Sequence, residues 1–150
     1  MPQPIFIENE ILIAAEPAAV WEALIQPSQT VQYMYGCEIV CDWQPGSPLL
    51  WKGAADGVIY VKGHLVAFEP EKTFSFTVFD PQGPYADIPA NYLTATYTLT
   101  PEGGATRLRV TQGDYAIVAE GAQRYEDSHS QGGWGAVLEG IRQLVEVPVS

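Results

Sequence analysis

Apolar and polar residues alternate in seven separate runs along the chain, the pattern of half-buried strands. The runs fall at about 5–15, 37–43, 48–55, 58–69, 73–79, 92–100 and 106–116. Between them stand turn residues: Gln44-Pro45-Gly46-Ser47, Asp56-Gly57, Glu69-Pro70-Glu71-Lys72 and Pro101-Glu102-Gly103-Gly104. Asp56-Gly57 is the sharpest hairpin signal. Consecutive strands with such short connections predict an antiparallel meander. Segment 80–91, with three prolines, is predicted to be a loop able to close over a cavity mouth.

The pattern changes to a helical period in three places. Pro17 followed by Val20, Trp21 and Leu24 on one stripe makes a short amphipathic helix that stops at Pro27. Ser28 offers a cap for a second short helix, TVQYMY, that ends at Gly36. Near the C-terminus, Trp134, Val137, Leu138, Ile141, Leu144 and Val145 predict one helix from about Ser128 to Glu146, with Asp127 or Ser128 as N-cap. Glycines 132, 133, 135 and 140 are unfavourable there, and would leave space beside the sheet for something else to fit.

The fold class predicted is α+β: a curved antiparallel sheet of six to seven strands wrapped around a long C-terminal helix, with two short helices after strand 1. One face of that sheet is apolar, and the last helix is the element available to cover it. At 150 residues this is one domain, 1–150.

Charge then narrows the partners. Eighteen acidic against seven basic residues give a net charge of -11, which repels phosphate backbones, so nucleic acid is not an expected partner. No apolar run approaches the length of a membrane span, and the first residues lack the pattern of a signal peptide; a cytoplasmic location is expected. Cys37 and Cys41, four apart in one strand, are too distant for a disulfide and are expected to be free thiols. Two cysteines and two histidines without ligand spacing predict no metal site, and no cofactor fingerprint is present.

Alternation assigns faces. Lys52 outward sends Leu49 and Trp51 inward. Phe74, Phe76 and Val78 share one face; so do Leu93, Ala95, Tyr97 and Leu99, and Leu108, Val110 and Gln112. In the run 58–69, Ile59 and Val61 are placed inward, and a bulge at Gly63 is expected to turn His64, Val66 and Phe68 in after them. The candidate ligand-binding wall is therefore Trp51, Ile59, Phe76, Val110, Trp134 and Leu138, carrying His64, Tyr97 and Gln112 as its sparse polar groups. Tyr60 or Tyr92 would join them if the faces were reversed.

Several stretches in this order, EPAAVWEALIQP, WQPG, KGHLVAFEPEKTFSFTV, ATRLRVTQGDY and GGWGAVLEGIRQLVE, resemble the START-like superfamily. This helix-grip group is also known for polyketide cyclases and the birch-pollen allergen. Within it the chain looks most like small bacterial proteins related to the activator of heat shock protein 90 ATPase. The resemblance implies a cavity between sheet and long helix, used in that superfamily for lipids, sterols, hormones or polyketides, and by a minority for cyclase, dehydratase or hydrolase chemistry. VQYMYG stands where such relatives usually carry a tryptophan.

Three functions follow as expectations. The first is binding of a small, largely apolar molecule. The second is cyclase- or dehydratase-like chemistry with His64, the weak catalytic candidate, as acid or base beside Tyr97. The third is an interaction or stress-response module, a homodimer among its forms, whose core is tightly filled. No nucleophile elbow, metalloprotease helix or phosphate loop is present, and His129 beside Asp127 and Ser128 reads as helix capping.

Overall fold

The computed structural model describes residues 4–146. Strand β1 (Ile7–Ile13) leads into helices α1 (Pro17–Ile25) and α2 (Pro27–Tyr33). Six strands follow: β2 (Cys37–Cys41), β3 (Pro48–Gly53), β4 (Ile59–Glu69), β5 (Thr73–Val78), β6 (Leu93–Glu102) and β7 (Ala105–Gly113). Helices α3 (Gly121–Ser130) and α4 (Gly135–Val145) close the chain. The strands form one antiparallel sheet in the order β1-β7-β6-β5-β4-β3-β2, a meander whose last strand is capped at the edge by the first.

Alternation set the inner faces of β5, β6 and β7 as the sequence predicts. Phe74, Phe76, Leu93, Ala95, Tyr97, Leu99, Leu108 and Val110 are all buried. On β6 and β7 the opposite positions carry threonines and arginines; Arg107 and Arg109 meet Glu102 and Glu8 on the outer face. Helix α4 buries Val137, Leu138 and Ile141 against this core, joined by Val20, Trp21, Ala23 and Leu24 of α1. The hairpin at Asp56-Gly57 is present between β3 and β4. Among the described residues, no helix is long and apolar enough to cross a membrane.

Three local expectations are corrected. Ser28 does not cap α2: the helix starts at Pro27, its N-cap is Gln26, and the Gln26 side chain makes no capping hydrogen bond. The C-terminal helix is not continuous from Ser128. Residues 121–130 form a separate helix, and a turn at Gly132 and Gly133, both at positive φ, divides it from α4. Asp127 and Ser128 therefore lie in the last turn of α3 rather than at the start of α4.

The third correction is the bulge in β4. Its register against β5 shifts between Leu65 and Ala67, not at Gly63. Inward alternation continues through Gly63 to the buried Leu65, and the shift at Val66 then brings Phe68 to the core. A Cβ on Gly63 would lie 1.8 Å from the Thr77 carbonyl oxygen, so glycine marks a close approach of two strands there. His64 consequently points outward and is exposed.

Candidate functional site

A cavity of about 790 Å³ opens over the inner face of the sheet, within the size range of small-molecule sites. Its apolar wall is built by alternation on β3 to β6: Trp51, Val61, Val78 and Leu93. Met34, Tyr35 and Cys37, where α2 passes into β2, bound one side. Trp134, immediately before α4, bounds it from the helix layer. The remaining side comes from loop 80–91 with Tyr85 and from α3 with Arg124, Asp127 and Ser128.

Trp134 is placed by β1. Asn9 points inward from that strand, its side-chain oxygen accepting the Trp134 N–H at 3.1 Å and its amide donating to the Gly132 carbonyl at 3.4 Å. A Cβ on Gly133 would lie 2.7 Å from both Asn9 Oδ1 and Ile7 Cγ2. Glycine lets the turn between α3 and α4 lie directly on the strand, which sets where α4 begins.

A short polar chain runs along one wall. Gln112 Nε2 donates to the Tyr115 hydroxyl at 2.7 Å, and that hydroxyl donates to Ser128 Oγ at 3.4 Å. Tyr115 is 1% exposed, so its ring is fixed and the chain holds Gln112 and Ser128 in place. At the rim, the Arg124 guanidinium lies 4.3 Å over the Tyr85 ring and donates to the Ala119 carbonyl at 3.4 Å. Tyr60, exposed where β4 bulges against β3, lines the opposite rim and donates to Asp56. Burial pushes the Cys37 thiol pKa up, and the Asp56 carboxylate adds to the shift, so this cavity-lining thiol is held in its weakly nucleophilic form.

The structure brings three of the predicted residues to the cavity: Trp51, Gln112 and Trp134. Phe76, Tyr97, Val110 and Leu138 are buried in the core instead, and Ile59 is half-buried at the start of β4 without lining the cavity. The expected inward turn of His64 is incorrect. Its Nδ1 sits 3.1 Å from Thr77 Oγ1 on the outer face, because the bulge falls two residues later than expected. His64 and Tyr97 thus lie on opposite faces of the sheet and form no acid–base pair. The Tyr97 hydroxyl is buried without a hydrogen-bond partner among the described residues.

Sequence reasoning missed Tyr115, Arg124 and Ser128. The available signal was Gln112, correctly placed inward, with a tyrosine three residues on and an arginine at the start of a polar helix. Residues 117–127 carry too few apolar positions to show a helical stripe, so the sequence assigns them no element.

The sequence profile of the family described as "Activator of Hsp90 ATPase homolog 1-like protein" matches residues 14–146. No curated protein matches the chain. Among solved structures, ChR145 from Cytophaga hutchinsonii is 30% identical, with 97% of each chain covered and a TM-score of 0.75. MLL2253 from Mesorhizobium loti is 24% identical over 95% of this chain and 97% of its own, with a TM-score of 0.73. The Aha1 dimer from Colwellia psychrerythraea shares the fold at 16% identity, covering 95% and 97%, with a TM-score of 0.71.

Proposed function

The chain belongs to the family of activator of Hsp90 ATPase homolog 1-like proteins, within the START-like superfamily, and from that premise we propose that it binds a small, largely apolar molecule in the cavity bounded by the sheet, loop 80–91 and α3, rather than between the sheet and α4. The observation that carries this reading is the cavity itself. It has an apolar wall and one fixed polar chain, Gln112–Tyr115–Ser128, to orient a carbonyl or hydroxyl group. A tightly filled core, which an interaction module without a ligand would have, does not accommodate a space of about 790 Å³.

Trp51, Gln112 and Trp134 are assigned to ligand contact on this reading. Trp51 and Trp134 supply broad apolar surface, and Gln112 supplies direction. A thermal-shift screen against fatty acids, sterols, aromatic polyketides and hormone-like aromatic acids tests it. Binding at a hundred times Kd adds about 2.7 kcal/mol, or roughly 5 °C for a domain of this size. A reproducible rise for one class is the expected result, and no rise across the panel counts against the reading.

A further inference from the structure

Among the described residues, Arg124 is the one cation lining the cavity. Lys62, Arg107, Arg109 and Arg142 are each paired with a carboxylate, whereas Arg124, half-buried, has no such pair among the described residues. Lys52 and Lys72 also lack such a pair, but both are exposed and away from the cavity, so Arg124 is the arginine left unpaired beside it in a chain of net charge -11. Its position is set from two sides. The guanidinium stacks over Tyr85, and one of its five N–H groups reaches the Ala119 carbonyl, which leaves most of its donors unused. Ser128, four residues on, occupies the same face of α3 and lines the same cavity.

We propose that the cavity takes an organic anion, an apolar body with a carboxylate or similar oxyanion head, and that Arg124 holds the head at the rim while Ser128 supplies a second donor. The inference rests on the binding reading above and adds the charge of the ligand. Asp80 and Asp127 also line the rim, so a cationic ligand is the competing outcome. Both carboxylates are exposed to water and each already accepts a hydrogen bond, Asp80 from the Gln82 N–H at 2.8 Å and Asp127 from Gln123 Nε2 at 2.9 Å. Arg124 is the less hydrated and less satisfied group, and a planar fork of donors matches an oxyanion.

The test compares three fluorescent or calorimetric probes on the intact chain: anilinonaphthalene sulfonate, its uncharged parent phenyl-naphthylamine, and the cation naphthylmethylamine. The expected result is a preference of about tenfold or more for the sulfonate over the neutral parent, the range of a charge-assisted hydrogen bond. The preference weakens at high salt and collapses toward one in Arg124→Gln, with partial recovery in Arg124→Lys. Circular dichroism of each variant guards against a folding defect, and the salt dependence of the wild type stands as a readout free of mutation. Equal binding of sulfonate and neutral probe, tightest binding of the cation, or an Arg124→Gln ratio equal to wild type overturns the inference while leaving apolar binding intact. Binding of none of the three overturns both.

Discussion

The side-chain oxygen of Asn9 accepts the backbone N–H of Trp134 at 3.1 Å, joining the first strand to the residue that precedes the last helix. With the second bond to the Gly132 carbonyl, one side chain fixes the turn between α3 and α4 and the rim of the cavity together. Asn9→Ala is expected to lower stability by about 1–2 kcal/mol. Gly133→Ala is expected to cost more than Asn9→Ala, because its Cβ meets Asn9 and Ile7 at 2.7 Å on a backbone with φ of +58°. Urea unfolding of the two variants checks the order.

The Tyr115 hydroxyl stands between Gln112 and Ser128. Tyr115→Phe leaves the Gln112 amide without that acceptor, and should destabilise the fold by about 1 kcal/mol. It should also weaken binding of ligands with a polar head more than binding of purely apolar ones, which calorimetry with a matched alcohol and hydrocarbon resolves. Equal loss for both would remove the orienting role assigned to Gln112.

Tyr33 and Tyr97 make a contrasting pair. The Tyr33 hydroxyl donates to the Ala23 carbonyl at 2.7 Å, whereas the buried Tyr97 hydroxyl has no partner among the described residues. Burial pushes both phenol pKa values up, so both stay neutral. Tyr33→Phe should cost about 1 kcal/mol, while Tyr97→Phe should be neutral or stabilising by a similar amount. Chemical denaturation gives both numbers directly.

Acid should destabilise the protein through its surface pairs. Arg142 holds the Glu139 carboxyl down to about 2, and Arg109, Arg107 and Lys62 lower Glu8, Glu102 and Asp87 respectively. Each depressed folded-state value means the unfolded chain binds more protons in acid. The contribution is present above the ordinary carboxylate values, ~4, and is lost as pH falls toward ~2. Melting temperature should fall across that window, less steeply at high salt because these groups are exposed. A flat profile would show that the pairs contribute nothing.

Much of the fold was legible because period-two alternation on β5 to β7 has a single solution once one face is buried. The same rule placed Trp51 and Gln112 correctly, and helical spacing placed Trp134. It fails at Gly63, where the missing side chain suggests a bulge but instead marks the closeness of Thr77. That error carried His64 to the wrong face. Phe76, Tyr97 and Val110 do point inward, but alternation cannot say whether an inward residue meets another side chain or open space. Gly132 and Gly133 are the local mark of the split in the last helix, but the strand they turn against, at Asn9, is more than a hundred residues away, so the glycines alone do not say that the helix breaks there.

The most direct test of the account is to fill the cavity without disturbing the core. Val61 lines the apolar wall and is half-buried, so Val61→Trp adds volume to open space rather than to packed side chains. Phenyl-naphthylamine is titrated into wild type and variant, with a thermal melt of each. The account predicts saturable one-site binding to wild type, weakened at least about tenfold in Val61→Trp at an unchanged melting temperature. Equal affinity in the two proteins would contradict it, since the ligand would then be bound somewhere other than this cavity.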